Sequence, residues 1–361
     1  MRSEEYFKAL LNGERQGVAD RLLLALLRAS AVPYSLAMRL RAASYGLGLL
    51  RVRRLPRPVI SVGNITVGGT GKTPMTVWLA RYLMARGLRV AVLSRGYGGR
   101  LEGSVAIVSD GTRRLLTPAE AGDEPCLLAD LVPGLMVIIG SDRYRAGRLA
   151  MESLSPDVFI LDDGFQHLRL HRDLNILLLD ARQPFANGRI LPAGFLREPV
   201  SAVGRADMAV FTRCSDDEPV TVTLPFNLPT CRARHRLSGF TTFSDSTLRR
   251  FGELAGLRGV AFAGIADPAG FFDELEREGA VLAATLAFPD HTGYGDEECA
   301  ALARLLRSTR ADYLITTAKD AVKLKALGNE EVPCYVASLE LELSDPAPLI
   351  ESLDKLLQNG R

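Results

Sequence analysis

The chain is poor in the residues that usually announce metal centres and disulfide frameworks. Its 361 residues include only five cysteines and four histidines. Cys126, Cys214, Cys231, Cys299 and Cys334 are scattered, odd in number and form no C-x-x-C pair. That argues against a disulfide scaffold or a zinc site and suits a reducing compartment. There is no internal repeat and no low-complexity segment. The basic residues lack interleaved aromatics, so the usual signature of nucleic-acid binding is missing. No uncharged apolar run approaches the roughly 20 residues needed to span a bilayer. The first twenty residues mix acidic and basic groups, which does not fit a secretory signal.

What is present is a globular composition, 47% hydrophobic and 24% charged, in a chain long enough for two domains. The net charge of +2 hides an asymmetry. Residues 1–60 hold eleven Lys and Arg against four carboxylates, a surplus of seven, which leaves the remainder at −5. The basic leader is also apolar, through Leu22–Leu27, Val32–Met38 and Leu47–Leu50, with Arg28, Arg39 and Arg41 interrupting it. Two readings of residues 1–50 stand: a core helix capping the first domain, or a helix lying in a membrane surface with arginines at headgroup level.

The strongest local signal is Ser61-Val-Gly-Asn-Ile-Thr-Val-Gly-Gly-Thr-Gly-Lys-Thr-Pro74. It follows a short apolar strand and runs into helical spacing from Met75 to Gly87. Strand, glycine loop, Gly-Lys-Thr and helix together hold a nucleotide triphosphate. Backbone N–H groups turn on the phosphates and the helix N-terminus adds positive potential. Gly68, Gly69, Thr70, Gly71, Lys72, Thr73 and Pro74 are therefore the nucleotide-binding candidates. Lys72 meets the β- and γ-phosphates, and Thr73 is placed for Mg²⁺. The strict pattern has glycine where this chain has Thr66.

Buried-strand candidates recur between helical segments at Val59–Val62, Val90–Leu93, Val105–Val108, Val137–Ile139, Val158–Leu161, Asn175–Leu179 and Met208–Phe211. Such alternation predicts an α/β fold, a P-loop-type domain with a mostly parallel sheet, over residues 51–215. Val220–Leu224 and Arg232–Thr242 alternate like half-exposed antiparallel strands, so residues 216–250 read as a β linker. A smaller second α/β domain is expected over 251–361. Its strands are Val260–Ala263, Tyr313–Thr316 and Tyr335–Ala337, with a helix from Gly270 to Gly279.

Several polar motifs fall after these strands, where ligands of parallel sheets bind. Phe159-Ile-Leu-Asp-Asp163 ends an apolar strand in two carboxylates, Asp162 and Asp163, read as metal-binding beside Thr73. On local sequence Gly122-Asp-Glu-Pro125 reads as a solvated helix cap. Arg95, Arg143 and the loop Leu191–Pro199 carry basic groups suited to phosphate. Thr316-Thr-Ala-Lys-Asp320 is not the guanine-reading motif.

Taken together, these blocks resemble the tetraacyldisaccharide 4′-kinases. The resemblance rests on Ser61–Asn64 with Gly68–Pro74, Ser94–Tyr97, Gly122–Pro125, Asp162–His167, Leu191–Gly194 with Leu196–Pro199, Phe288–His291 and Lys319–Lys323, in that order. It also accommodates Thr66. It implies an ATP- and Mg²⁺-dependent kinase at the cytoplasmic face of the bacterial inner membrane. The acceptor would be the 4′-hydroxyl of an acylated disaccharide 1-phosphate, a lipid A precursor, and no obligate protein partner is called for. By the same resemblance Asp123 becomes the general base, assisted by His291, and Arg197 a transition-state or phosphate contact beside Lys72. Glu124, Asp163 and Asp162 become the Mg²⁺-related carboxylates. Asn64, Arg95, Tyr97, Arg143, Gln166 and His167 line the substrate side, and the second domain closes over the nucleotide. The leader then reads as membrane-interfacial. The chain departs from the family at Thr292, where a second histidine is frequent, and before Lys319, where glutamate is usual. A partner-driven P-loop switch or metallochaperone ATPase is the competing class, and a soluble small-molecule kinase a third.

Overall fold

The computed structural model describes residues 3–214, 224–243, 245, 247–290, 292–324 and 332–359. His291 and most of the expected strand Val220–Leu224 lie outside the described residues. Two helices lead, α1 (Ser3–Leu11) and α2 (Val18–Gly46). The elements that follow are β1 (Val59–Gly63), α3 (Lys72–Met84), β2 (Val90–Ser94), β3 (Ala106–Asp110), α4 (Pro118–Ala121), α5 (Asp123–Leu131), β4 (Met136–Ile139), α6 (Arg143–Ser153), β5 (Val158–Asp162), β6 (Leu174–Asp180) and β7 (Met208–Thr212). The long β8 (Thr230–Thr242) then leads to β9 (Arg258–Ala263), α7 (Pro268–Arg277), β10 (Val281–Ala287), α8 (Asp296–Thr309), β11 (Tyr313–Thr317), α9 (Ala318–Ala321), β12 (Cys334–Leu343) and α10 (Ala347–Asn359).

All twelve strands join one sheet, in the order β10-β9-β11-β12-β8-β7-β6-β1-β5-β2-β4-β3. From β7 to β4 the neighbours are parallel, and the edge strand β3 is antiparallel. Strands β1, β2 and β5 are buried at every residue, as a sheet covered on both faces requires. One face packs Met75, Leu79 and Leu83 of α3 with Leu128 of α5, and the other takes Ala146 and Ala150 of α6. These nearly continuous apolar runs explain why the strands are legible in the sequence.

The chain passes from one half to the other along β8. Its first residues pair parallel with β7 (Ala209↔Thr230), and the stretch from Ala233 pairs antiparallel with β12. The stretch Arg232–Thr242, read from the sequence as an antiparallel strand within a β linker, lies within this one strand, which pairs with both β7 and β12. The last helix, α10, returns to the first half, burying Leu349 and Leu353 in the same cluster as Leu79 and Val210. The sequence division at residue 250 does not anticipate that return. Edge strand β10 also went unseen. Its residues are mostly exposed or half-buried and lack clean alternation.

Helix α2 runs 29 residues with Pro33 inside it. By length and composition alone it is long and apolar enough to cross a membrane, despite its interrupting arginines. One side, through Tyr34 and Arg41, hydrogen-bonds the body, whereas Leu22, Leu26, Val32, Leu36 and Leu40 are more than half exposed.

Candidate active site

Between the two halves lies a cleft of about 1640 Å³, lined by the Gly68–Pro74 loop on one side and residues from β11–α9 on the other. Strand β1 delivers the loop, and Lys72 and Thr73 open the 13-residue α3. Gly71 caps that helix in the left-handed conformation, at φ +78°. A β-carbon there would lie 2.6 Å from His235 Nε2, so glycine is required twice over. Thr66 is buried and bridges Leu196, in a segment where Val67 N donates to the Phe195 carbonyl (2.7 Å). Arg197 N in turn donates to the Ile65 carbonyl (2.7 Å). The start of the loop is thus stitched to the Leu191–Pro199 segment, and this strand-like position needs no glycine.

The two carboxylates after β5 have different environments. Asp162 is buried, and its oxygens accept from Thr76 Oγ1 (3.3 Å) and Ser94 Oγ (3.4 Å). Burial, with the charges of Glu124 and Asp163, pushes its carboxyl up to about 7. Asp163 turns outward through a left-handed residue, φ +51°. Arg197 Nη1 donates to both its oxygens, at 3.0 and 2.9 Å, and Lys72 Nζ stands 3.8 Å away. Burial favours its protonation, but Lys72 and Arg197 outweigh that and hold it below the usual carboxylate range.

Asp123 and Glu124 form the first turn of α5. Gly122 before them has φ +89°, and a β-carbon on it would strike the Tyr97 carbonyl at 2.4 Å. That close approach ties the acidic pair to the loop after β2. Across the cleft, Lys323 Nζ lies 3.5 Å from Asp123 Oδ2, and Lys319 pairs with Asp290 at 2.8 Å.

The remaining sequence candidates divide. Arg143 opens α6, is 4% exposed and donates from Nη1 to the Gly140 carbonyl (2.7 Å), while its Nε has no partner among the described residues. Burial, against the pull of Asp162 and Asp163, lowers its guanidinium to about 10. His167 is held down to about 4 by burial and the Arg143 charge, so it is a neutral imidazole. Gln166 Nε2 donates to the Asn64 carbonyl (2.8 Å), and Asn64 itself is buried. Arg95 is directed to Glu102 (3.2 Å), and Tyr97 is largely exposed on the rim. All of these except Asn64 line the cleft.

Sequence reasoning missed a second layer. Thr212 Oγ1 donates to the Thr70 carbonyl (3.0 Å), Arg213 pairs with Asp180 (2.9 Å), and His235 backs Gly71. From α2, Tyr34 Oη donates to the Arg197 carbonyl (3.1 Å) and Arg41 Nη2 to the Gln166 carbonyl (3.0 Å). Each joins residues far apart in the sequence, three of them through a backbone carbonyl, which leaves no spacing pattern to find.

Mg²⁺ fits this donor set. Among the described residues no three His, Cys, Asp or Glu side chains form a metal cage. Mg²⁺ in kinases takes one or two carboxylates and completes its shell with phosphate oxygens and water. The raised proton affinity of Asp162, caused by burial and neighbouring anions, is what a bound cation would relieve.

Comparison with known proteins agrees with this geometry. The Tetraacyldisaccharide-1-P 4′-kinase family profile matches residues 23–358. The tetraacyldisaccharide 4′-kinase of Geobacter metallireducens is 60% identical over 338 residues, covering 94% of this chain and 99% of that protein. That of Geobacter sulfurreducens is 57% identical over 98% of this chain and 99% of its own length. A crystal structure of the "apo" form of LpxK from Aquifex aeolicus in complex with ATP superposes with a TM-score of 0.76 at 36% identity, covering 91% of this chain and 99% of that one. Agreement along nearly the whole length leaves one assignment: the chain belongs to the tetraacyldisaccharide-1-P 4′-kinase family.

Proposed function

We propose that the chain transfers the γ-phosphate of ATP to the 4′-hydroxyl of an acylated disaccharide 1-phosphate, the lipid A precursor. The observation that carries this is one cleft lined by the Gly-Lys-Thr loop, the Asp162–Asp163 pair and Asp123. Phosphoryl transfer asks mainly for positioning and charge neutralisation. The loop and Lys72 bind the β- and γ-phosphates. Thr73, Glu124, Asp163 and Asp162 would hold Mg²⁺, which neutralises phosphate charge when bound. Asp123, at the head of α5, accepts the proton of the acceptor hydroxyl. His291 belongs to this reading as its assistant. Arg143 and Arg197 supply guanidinium donors to phosphate oxygens.

The leader belongs to the same reading. The exposed leucines of α2 lie in the membrane surface at the cytoplasmic face of the inner membrane, and its arginines meet anionic headgroups. The half built on β9–β12 closes over the nucleotide, with β8 as the shared strand. No protein partner is needed for turnover, and the switch ATPase has no observation in its favour.

The test is transfer of labelled γ-phosphate from ATP to a detergent-solubilised acylated disaccharide 1-phosphate, with Lys72→Ala and no-lipid controls. Label on the lipid, dependent on Lys72, is expected. Label released only as free phosphate, indifferent to lipid, would sink the assignment. Vesicle flotation of the full chain against a chain lacking residues 1–50 tests the membrane reading, which fails if both bind equally.

A further inference from the structure

Lys323 makes a set of contacts that the mechanism above does not use. It follows α9, and its side chain is only 9% exposed. Within its own half, Nζ donates to the Thr292 carbonyl (3.1 Å) and stands 3.7 Å from Asp320 Oδ1. Asp320 is fully buried, and its Oδ2 accepts from Gly264 N (3.0 Å) and Thr317 Oγ1 (2.7 Å). The Tyr294 ring lies beneath, 5.9 Å from the ammonium. Lys323 is therefore fixed from one side by a carbonyl, a buried carboxylate and an aromatic face. From this anchored position it reaches across the cleft to Asp123 Oδ2 at 3.5 Å.

We infer that Lys323 is a positioning residue for phosphoryl transfer. It holds the Asp123 carboxylate in its working rotamer when the two halves meet, so that the base is aligned only in the closed enzyme. The inference rests on reading Asp123 as the base. Asp123 sits on a rigid backbone, because Gly122 is packed against the Tyr97 carbonyl. The anchored ammonium adds a fixed contact from the opposite half, which sets the direction of the carboxylate without a covalent tie.

The experiment is steady-state kinetics on Lys323→Met, Lys323→Arg, Asp123→Asn and the Lys323→Met/Asp123→Asn double variant. A misplaced catalytic group costs up to about 10²-fold, so Lys323→Met is expected to lower kcat by that order while the KM for ATP holds. Lys323→Arg is expected to restore most of it. In the Asp123→Asn background the lysine change should cost nothing more, because the two act as a unit. The paired variant Asp320→Asn/Lys323→Met removes both buried charges and so leaves none unpaired. It should remain as slow as Lys323→Met. Recovery of kcat in that pair, or an additive loss in the Asp123→Asn background, would show a purely structural role and overturn the inference. So would a wild-type or faster Lys323→Met enzyme. Full turnover by Asp123→Asn itself would instead overturn the reading of the base, and the inference with it.

Discussion

Arg197 places one guanidinium nitrogen on both carboxylate oxygens of Asp163, while Lys72 waits 3.8 Å from the same group. Two cations sharing one anion leave the lysine only loosely engaged. It moves to phosphate at little cost, because Asp163 keeps its stronger partner. On the proposed mechanism Arg197→Met should therefore do double damage: one donor to the transferring group would be lost, and Lys72 would be drawn to the orphaned carboxylate. Loss of such a donor costs about 10²–10³-fold in kcat, and the KM for ATP should rise with it. Arg197→Lys should recover only part, since an ammonium can hold Asp163 but lacks the further guanidinium nitrogens that would reach phosphate at the same time. Steady-state kinetics with both substrates varied checks this, and an unchanged KM for ATP would refute the sharing argument.

Gly71 and Gly13 offer a controlled pair. Both have left-handed backbones, φ +78° and +80°, but nothing lies within 4 Å of a β-carbon on Gly13, whereas His235 blocks Gly71. Left-handed strain alone costs about 1–2 kcal/mol, so Gly13→Ala should lose that much stability and no activity. Gly71→Ala adds a clash with His235 at the phosphate loop. It should lower Tm further and weaken ATP binding by calorimetry. Equal behaviour of the two variants would remove the assigned role of His235 behind the loop.

How much of this was legible follows from the kind of contact involved. The strands β1, β2 and β5 are apolar at nearly every position because both faces are covered, and that pattern reads directly. Lys72, Thr73 and Asp162 sit at strand or helix ends whose chemistry is fixed by the elements beside them. Thr66 departs from the strict loop pattern, and its bridge to Leu196 gives the physical reason, a strand-like position that needs no glycine. Asp123 and Glu124 read locally as a helix cap; in the structure they form the first turn of α5, and Gly122 holds the cap position with no side-chain capping bond. Their place in the cleft comes from the Gly122 packing on Tyr97, a tertiary contact with no local signature. Tyr34, Arg41 and His235 act on backbone atoms or by filling space, so their neighbours in sequence say nothing of them.

His235 also carries a pH signature. Burial, with the Arg213 charge, lowers its imidazole to about 4, against roughly 6.5 in an unfolded chain. Between those values the unfolded state binds more protons, so stability rises with pH across that window. The neutral histidine contributes nothing adverse above about 6.5, and its cost grows as pH falls towards 4. At about 1.4 kcal/mol per unit, wild type should lose roughly 2 kcal/mol relative to His235→Gln on going from pH 7.5 to 5. Urea unfolding of both proteins at the two pH values measures the difference. Parallel losses in the two would mean that His235 is already protonated in the fold.

Helix α2 joins the exposed leucines to the reacting groups through two hydrogen bonds. Tyr34 holds the carbonyl of Arg197, and Arg41 holds the carbonyl of Gln166, whose side chain in turn supports Asn64. Both bonds fix backbone, so they set where the Arg197 guanidinium and the Gln166 amide begin. Each neutral bond is worth about 1 kcal/mol and a charged donor about twice that. Tyr34→Phe should thus slow transfer a few-fold and Arg41→Met more, with ATP binding unaffected in both. If α2 conveys membrane docking to these loops, Tyr34→Phe should narrow the gap in rate between substrate in vesicles and substrate in detergent. On that reading any gain from docking depends on the bond. A Tyr34→Phe enzyme that is equally slowed in both media would reduce the helix to a passive support.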